Sequence, residues 1–575
     1  MGIKLLKKEN QIKKIISFVM ILSFFFLLAC DKGMNLKVEE ISQNELVDLN
    51  PVNGGEMVLP LTNMEGKNPL LTDNEEYYQF MKLVYDSLFI STPGGKYIPS
   101  LAEHYEYSND GYTVSVTIKD NVRWQDGEPF TAYDVADTFN AIRKLPPTSA
   151  YYKLLRNAVG TCNPFNPETF ARAVVFDERN VDFQFDKPYA NVLEMLTFPI
   201  LPSHLYDEEG MLTHENFKIM GTGPFQFNSE EENQEIILER NPNFYGKNPY
   251  IEKIHGKILN SKENMDNAFE TAQIDLARSR EFDWDKYDGN SRVDYEEFYT
   301  NELDFLAFNL NSPIFQGSNG KAIRQAIARG VNKKRIIESM YLNKADEAFF
   351  LLHSELYPGN LLENKIYYNM EAGKELLRNV GYKDRDEDGL LEDGDGNTIR
   401  IGVTTNSYNY IRRTIADLII DDLRTMGIDA YPAYPPVEGE ERYDENSRLE
   451  QWNTYYEALK KGDFQLALVG MNFSGTPDLG VLLYSGAIGS TNLANYSNKA
   501  MDQRIVQLSI YGLDRDEKSL YNSINDAFID DCPYVPLYFK RGALLKDKKI
   551  KGLIHPSPYY LFRDVKDVYI PKELR

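Results

Sequence analysis

Between Ile399 and Tyr431 the chain reads IRIGVTTNSYNYIRRTIADLIIDDLRTMGIDAY. IRIGVTT is β-branched and alternates like a strand, and then Ile411, Ile415, Leu418, Ile419, Leu423 and Met426 recur at helical spacing. Gly427 suits the left-handed turn that closes a helix, and IDAYP opens a second extended run. Strand, helix and strand in that order make a βαβ unit, which predicts a parallel pair joined by a right-handed crossover.

Working outward, YTVSVTIK from Tyr112 to Lys119 alternates as a half-buried strand, and Phe130 to Arg143 reads as a helix entered through Thr131. The fold class is therefore α/β. The chain has 575 residues, enough for several folding units. Hydrophobic residues make up 42% and charged residues 26%, which excludes a mostly disordered chain. The formal charge of -24 repels a phosphate backbone, so nucleic acid is excluded as an expected partner. No repeat at solenoid periods is present, and no low-complexity linker divides the body.

Five lysines (Lys4, Lys7, Lys8, Lys13 and Lys14) precede an apolar run from Ile15 to Leu28, the charged and hydrophobic regions of an export signal. That run is short for a membrane span. It ends Leu27-Leu28-Ala29-Cys30, which resembles the bacterial lipobox, where cleavage leaves the cysteine as residue one and its thiol takes a lipid. Residues 1–29 are thus expected to be a lipoprotein signal peptide, with Cys30 the site of lipidation (palmitate among its acyl chains). Loss of five lysines and one glutamate makes the exported body more acidic still. Residues 30–51 are polar and aperiodic, a flexible tether. The expected location is the outer face of the cytoplasmic membrane, on the periplasmic side if an outer membrane is present. Of three cysteines, Cys162 and Cys532 remain; they either pair or stay as buried thiols, and unpaired thiols are the reading preferred here.

DRDEDGLLEDGD has the spacing of a calcium loop, with Asp384, Asp386, Asp388 and Glu392 at positions one, three, five and nine and Asp395 at twelve. A structural calcium is the sole cofactor candidate. The six histidines are scattered, and neither H-E-x-x-H nor G-x-S-x-G occurs, so no catalytic constellation supports an enzyme. A carboxylate pair of the glycosidase kind has no positive support among the many acids.

The block YIPSLAEHYEYSNDGYTVSVTIKDNVRWQDGEPFTAYDVADTF, Tyr97 to Phe139, resembles the signature of the oligopeptide and dipeptide-binding class (family 5) of extracellular solute-binding proteins of ABC importers. FPILPSHLY (Phe198–Tyr206), GTGPF (Gly221–Phe225), NPNFYGKNPYIEKI (Asn241–Ile254), DFLAFNLNSPIF with KAIRQAIARGVNKKRII (Asp304–Ile337), LANYSNKAMDQRI (Leu493–Ile505) and DDCPYVPLYFKR (Asp530–Arg541) follow in the family's order. The resemblance implies a two-lobed periplasmic-binding-protein-like fold with an additional third domain and an interlobe hinge. It further implies a discontinuous lobe I (52–85, 188–302 and 533–575), an extra domain (86–187) and lobe II (303–532).

By the same resemblance the protein captures an extended solute, an oligopeptide, between its lobes as an added strand, and hands it to the importer's permease subunits. A monomer is expected. An oligosaccharide is the alternative ligand, and a peptide sensor or adhesin the alternative role. Tyr77 and Tyr78 fall where family members face ligand, and so do Met471, Asn472, Phe473 and Ser474 at a strand end. In peptide-binding members an Asp at the position of Ser474 pairs with the ligand's α-ammonium. Here the hydroxyl is neutral, and Asp478 is the candidate displaced carboxylate. The acidic loop at 384–395 matches a turn that family members often carry without metal, joining a helix (Glu371 to Val380) to a strand. Trp124 is a packing residue in the family pattern.

Overall fold

Arg400–Thr404 and Asp429–Pro432 form the parallel pair expected of the βαβ unit, in register from Arg400 opposite Asp429 to Val403 opposite Pro432. The intervening helix, Tyr410–Thr425, starts where the Asn409 side chain accepts from the Arg412 N–H. It buries Ile415, Ile419 and Leu423, while Ile411 stays exposed at the first turn. Gly427 takes φ +93°, the left-handed conformation that a Cβ would strain.

A computed structural model describes residues 50–575 except 63–65, 93–94, 232–233, 262, 280, 355–363, 435–444, 474, 476–477, 513–515 and 553. Cys30 and Ser474 lie outside the described residues. The body, Leu49–Arg575, is built on three main sheets. In the first, Glu56–Thr62 pairs parallel with Lys253–Leu259, and Glu235–Arg240 and Phe225–Glu231 follow antiparallel. The second is an antiparallel sheet in the order Ala102–Tyr107, Thr113–Ile118, Asn180–Phe185 and Ala171–Val175. Its second strand is the predicted alternating one, burying Val114, Val116 and Ile118. The predicted helix beyond it runs Ala132–Ile142, with the Asp134 carboxylate accepting from the Thr131 N–H at 2.7 Å and from the Trp124 indole at 3.3 Å. Trp124 is fully buried there.

The third sheet has seven strands and carries the hinge. Two of them are long, Val293–Phe308 and Tyr534–Asp547, and pair antiparallel with each other. Their first pairing block joins Val293–Tyr299 to Asp547–Arg541; after a register break at Tyr299/Leu303, Leu303–Ala307 pairs on toward Tyr534. The two blocks belong to different cores. Trp284, Phe269 and Leu545 pack around the first block. Beyond the break, apolar clusters cover both faces, with Leu306, Ile419 and Leu537 on one and Phe305, Leu483 and Phe528 on the other. A bulge in a crossing strand is a natural place for rigid lobes to pivot. The fold is thus two-lobed α/β with a third domain and an interlobe hinge.

One buried ion pair organises the sheet just beyond the bulge. Asp304 accepts from Arg412 at 3.3 Å and from the Tyr538 hydroxyl at 2.7 Å. Gly470 makes room for it, since a Cβ there would lie 1.7 Å from Arg412 Nη2. Cys162 and Cys532 are both free thiols, and burial pushes the Cys532 thiol up to about 12, leaving it inert.

Candidate functional site: an aromatic cleft between the lobes

The helix Glu75–Met81 is capped by Asn74, whose side chain accepts from the Tyr77 N–H at 2.9 Å, and it separates two cavities. Tyr78, Met81 and the following Lys82 face the first cavity, of about 970 Å³; Glu75, Glu76 and Gln79 face the second, of about 1230 Å³.

Four chain segments bring tyrosines to the first cavity. Tyr97 comes from the short ladder Tyr97–Pro99, Tyr151 from the helix Ala150–Val159, Tyr85 from the turn after the capped helix, and Tyr559 and Tyr560 from the C-terminal segment. That last segment is tied to the helix by Gln79, which donates to Pro558 O and accepts from the Leu561 N–H, each at 3.0 Å. Lys82 donates to Tyr559 O, and its ammonium lies 4.3 Å from the Tyr78 ring centroid and 5.2 Å from that of Tyr560. The GTGPF motif acts just behind this wall. A Cβ at Gly221 would stand 1.9 Å from Val84 O, and Gly223 N–H donates to the same carbonyl at 2.8 Å, so only glycine permits this approach.

Two carboxylates also line the first cavity, Asp86 and Glu194. Burial pushes Asp86 up to about 6, against hydrogen bonds from Tyr245 and Thr222 that favour its anion. Glu194 sits in the short helix Val192–Met195 at 3% exposure.

The second cavity has an apolar floor, including Leu276, Phe282 and Phe562, under a charged rim. Arg278 pairs with Glu75 and, at 3.4 Å, with Glu302, which also meets Lys540 at 3.4 Å. Nearby, hydrogen bonds from His353 and Arg541 overcome burial and hold Asp346 down to about 2.

The end of the strand Leu466–Asn472 meets this surface. One edge pairs with the hinge strand over its whole length, from Phe308 opposite Leu466 to Glu302 opposite Asn472. The other edge pairs with Arg400–Thr404 at Leu466 and Ala467; Leu468 O accepts instead from the Thr405 and Tyr455 hydroxyls at 3.2 and 2.8 Å, and among the described residues no strand pairs with that edge at the half-buried to exposed end Gly470–Asn472. The Tyr559 hydroxyl donates to Phe473 O at 2.9 Å and accepts from Asn301 Nδ2 at 2.5 Å, joining the C-terminal segment, the bulge and the strand end.

The residues expected from the sequence separate here. Tyr78 lines the first cavity; Tyr77, one residue earlier, is fully buried with its hydroxyl on Lys67 O at 2.6 Å. Met471 is half-buried opposite Leu303, Asn472 is exposed, and Phe473 is buried at the strand end. Asp478 is engaged in holding structure: it accepts from Thr161 N–H and Oγ1, both at 2.6 Å, and from Gly480 N–H at 2.9 Å. Sequence reasoning missed Lys82, Tyr97, Tyr151, Glu194, Tyr559 and Tyr560. Two signals were available: Glu194 is a lone acid within the apolar run VLEMLTF, and Tyr559-Tyr560 is an aromatic doublet.

In the acidic loop, carboxylate oxygens of Asp384, Asp386, Asp388 and Glu392 all lie within 4.8 Å of one another. That spread suits oxygens placed around a calcium ion at about 2.3–2.6 Å. Asp395 is outside this group; Asp393 organises the next turn instead, accepting from the N–H groups of Asp395 and Asn397 at 2.9 Å.

Two lobes on a strand hinge with a tyrosine-walled cleft define a solute-binding protein. The comparisons agree: the chain belongs to the bacterial extracellular solute-binding proteins, family 5, whose model (the family's middle region) matches residues 96–490. It is 23% identical over 574 residues to the oligopeptide-binding protein AppA of Bacillus subtilis, covering 96% of this chain and 98% of that one. It is 27% identical over 426 residues to the nickel-binding periplasmic protein of Escherichia coli, covering 71% and 74%. The solved structure of the ABC transporter substrate-binding protein CtaP from Listeria monocytogenes superposes with a TM-score of 0.72 at 22% identity, over 90% of this chain and all of that one, and shares the fold. The family is one of exported solute-binding proteins of ABC importers rather than of enzymes. No helix of the described residues is long and apolar enough to cross a membrane.

Proposed function

We propose that this protein is the membrane-anchored, substrate-binding lipoprotein of an ABC importer, and that it captures oligopeptides in the interlobe cleft without chemical turnover. The observation that carries the peptide reading is the strand end Gly470–Asn472, which among the described residues pairs with a strand on one edge alone, with a cavity on either side of the facing helix. An extended peptide can add to such an edge by main-chain hydrogen bonds while its side chains enter the cavities, which tolerates many sequences. The AppA relative, an oligopeptide-binding protein by name, supports the same ligand class. Tyrosine faces also suit an oligosaccharide, but a sugar makes no use of an open strand edge.

Cys30 is the proposed lipid attachment site, 30–51 the tether, and the permease the proposed partner of a monomer. The proposed organisation is lobe I from 52–85, 188–302 and 533–575, the extra domain from 86–187, and lobe II from 303–532. The register break at Tyr299/Leu303 supports the crossing near residue 302. A thermal-shift panel of peptides and glycans tests the ligand class. A peptide at about one hundred times its Kd should stabilise the fold by about 2.7 kcal/mol. Stabilisation by glycans alone would refute the peptide reading. Normal processing and membrane partitioning of Cys30→Ala would refute the anchor.

A further inference from the structure

We infer that residues 509–511 and Asp478 form a latch whose contacts are made when the lobes close and part when they open; this rests on the lobe organisation proposed above. Both pieces belong to the proposed lobe II, and their partners across the seam lie outside it, at 107–111, 161–163 and 188–190. The chain runs antiparallel to itself there. Tyr189 bridges Ile510, Ala190 N–H donates to Ser509 O at 3.0 Å, and Tyr511 N–H donates to Pro188 O at 2.7 Å. Asn163 Nδ2 donates to the Ser509 hydroxyl at 3.2 Å. The Tyr511 ring stacks on Tyr107, with centroids 4.2 Å apart and planes 8° from parallel. Gly111, at φ +74°, permits this approach, because a Cβ there would lie 2.7 Å from Tyr511 Cδ1. Asp478 adds its two bonds to Thr161.

The make-up of the seam suits a contact that opens. Its hydrogen bonds are mostly from main-chain and hydroxyl groups, which water replaces at small net cost when the two sides part. The apolar cores behind them are distinct, with Val159, Phe185 and Tyr189 in one and Ile505 and Leu508 in the other. Parting therefore uncovers chiefly the stacked rings and Cys162, which packs against the second core. No seam residue lies in a strand of the hinge sheet, so a pivot at the Tyr299/Leu303 break moves one side of the seam against the other. Tyr107 and residues 509–511 line neither cavity. The latch thus acts on affinity through the population of the closed state, without touching the solute.

Cys162 provides the test, since its thiol is hydrogen-bonded to the Ser509 side chain. In the exported body carrying Ser509→Cys, mild oxidation should join residues 162 and 509, and reduction should release them. Offered a pool of random pentapeptides, the reduced variant should retain peptide as wild type does, read by mass spectrometry. Protein oxidised before exposure to the pool should retain at least tenfold less, and protein oxidised afterwards should hold its peptides at least tenfold longer through washing. Without peptide, small-angle scattering should give the oxidised form a smaller radius of gyration than the reduced form. Tyr511→Ala, which removes only the stack, should weaken retention about three- to tenfold. Equal uptake, release and radius in the oxidised and reduced forms, or unchanged retention in Tyr511→Ala, would overturn the latch. So would a cross-link that fails to form even at saturating peptide. If wild-type protein retains no pentapeptide, the peptide reading falls, and the difference in radius still decides the latch.

Discussion

Asp478 accepts two hydrogen bonds from Thr161, through its backbone N–H and its Oγ1, each at 2.6 Å. Thr161 follows the helix Ala150–Val159, and Asp478 leads into the helix Gly480–Leu483. The carboxylate therefore ties the ends of these two helices together across 317 residues of sequence. Asp478→Ala strands two N–H donors and should lower unfolding free energy by about 1–3 kcal/mol, read by urea denaturation. Any preference for free over acetylated peptide N-termini should be unchanged; its loss in this variant would make Asp478 the ligand's partner instead.

Asp304→Asn is expected to be among the most destabilising single changes. It leaves Arg412 facing a neutral amide in a buried setting where Tyr538 also donates. Removal of one partner from such a pair typically costs about 3–5 kcal/mol. A melting temperature within a degree or two of wild type would show that water reaches the pair.

What the sequence made legible follows from the range of the forces involved. The βαβ unit at 399–431, the strand at 113–118 and the Thr131 helix start were readable because period, caps and turns are local. The family motifs marked the two-lobed body because several hold tight backbone geometry, as Gly221 and Gly223 do against Val84. The site was less legible. Tyr77 and Tyr78 are adjacent, and only tertiary packing sends one into the core and the other into the cavity. Glu194, Gly475 and Tyr559 converge from three distant segments, a juxtaposition no window of sequence contains.

Asp86 gives the fold a pH dependence of defined sign. Its native value near 6 exceeds the ordinary carboxylate value of 3.8, so between those limits the unfolded chain binds fewer protons than the native one. Its contribution to stability is therefore greatest at low pH, falls as pH rises from about 4 to 6, and is level above. Urea midpoints for wild type and Asp86→Asn, compared from pH 4 to 7, should converge on the acidic side and separate in favour of the variant toward neutrality. A constant difference across that range would refute the assignment.

If the acidic loop binds calcium, millimolar calcium should raise the melting temperature of the wild-type body, and magnesium should do so less, because flexible all-oxygen sites favour the larger ion. Asp384→Asn with Asp388→Asn should abolish the shift, since both carboxylates belong to the convergent group. Asp395→Asn should not, since it lies outside it. No calcium shift in wild-type protein would make the loop an acidic turn held by its own hydrogen bonds.

The central claim is that the lobes pivot at the bulge between Tyr299 and Leu303 and close on a peptide. Small-angle scattering of the body, free and saturated with a peptide that stabilises it in the thermal-shift panel, measures this directly. The account predicts a smaller radius of gyration on saturation, with the peptide recovered intact. An unchanged radius at saturation, or a peptide recovered cleaved, would contradict it.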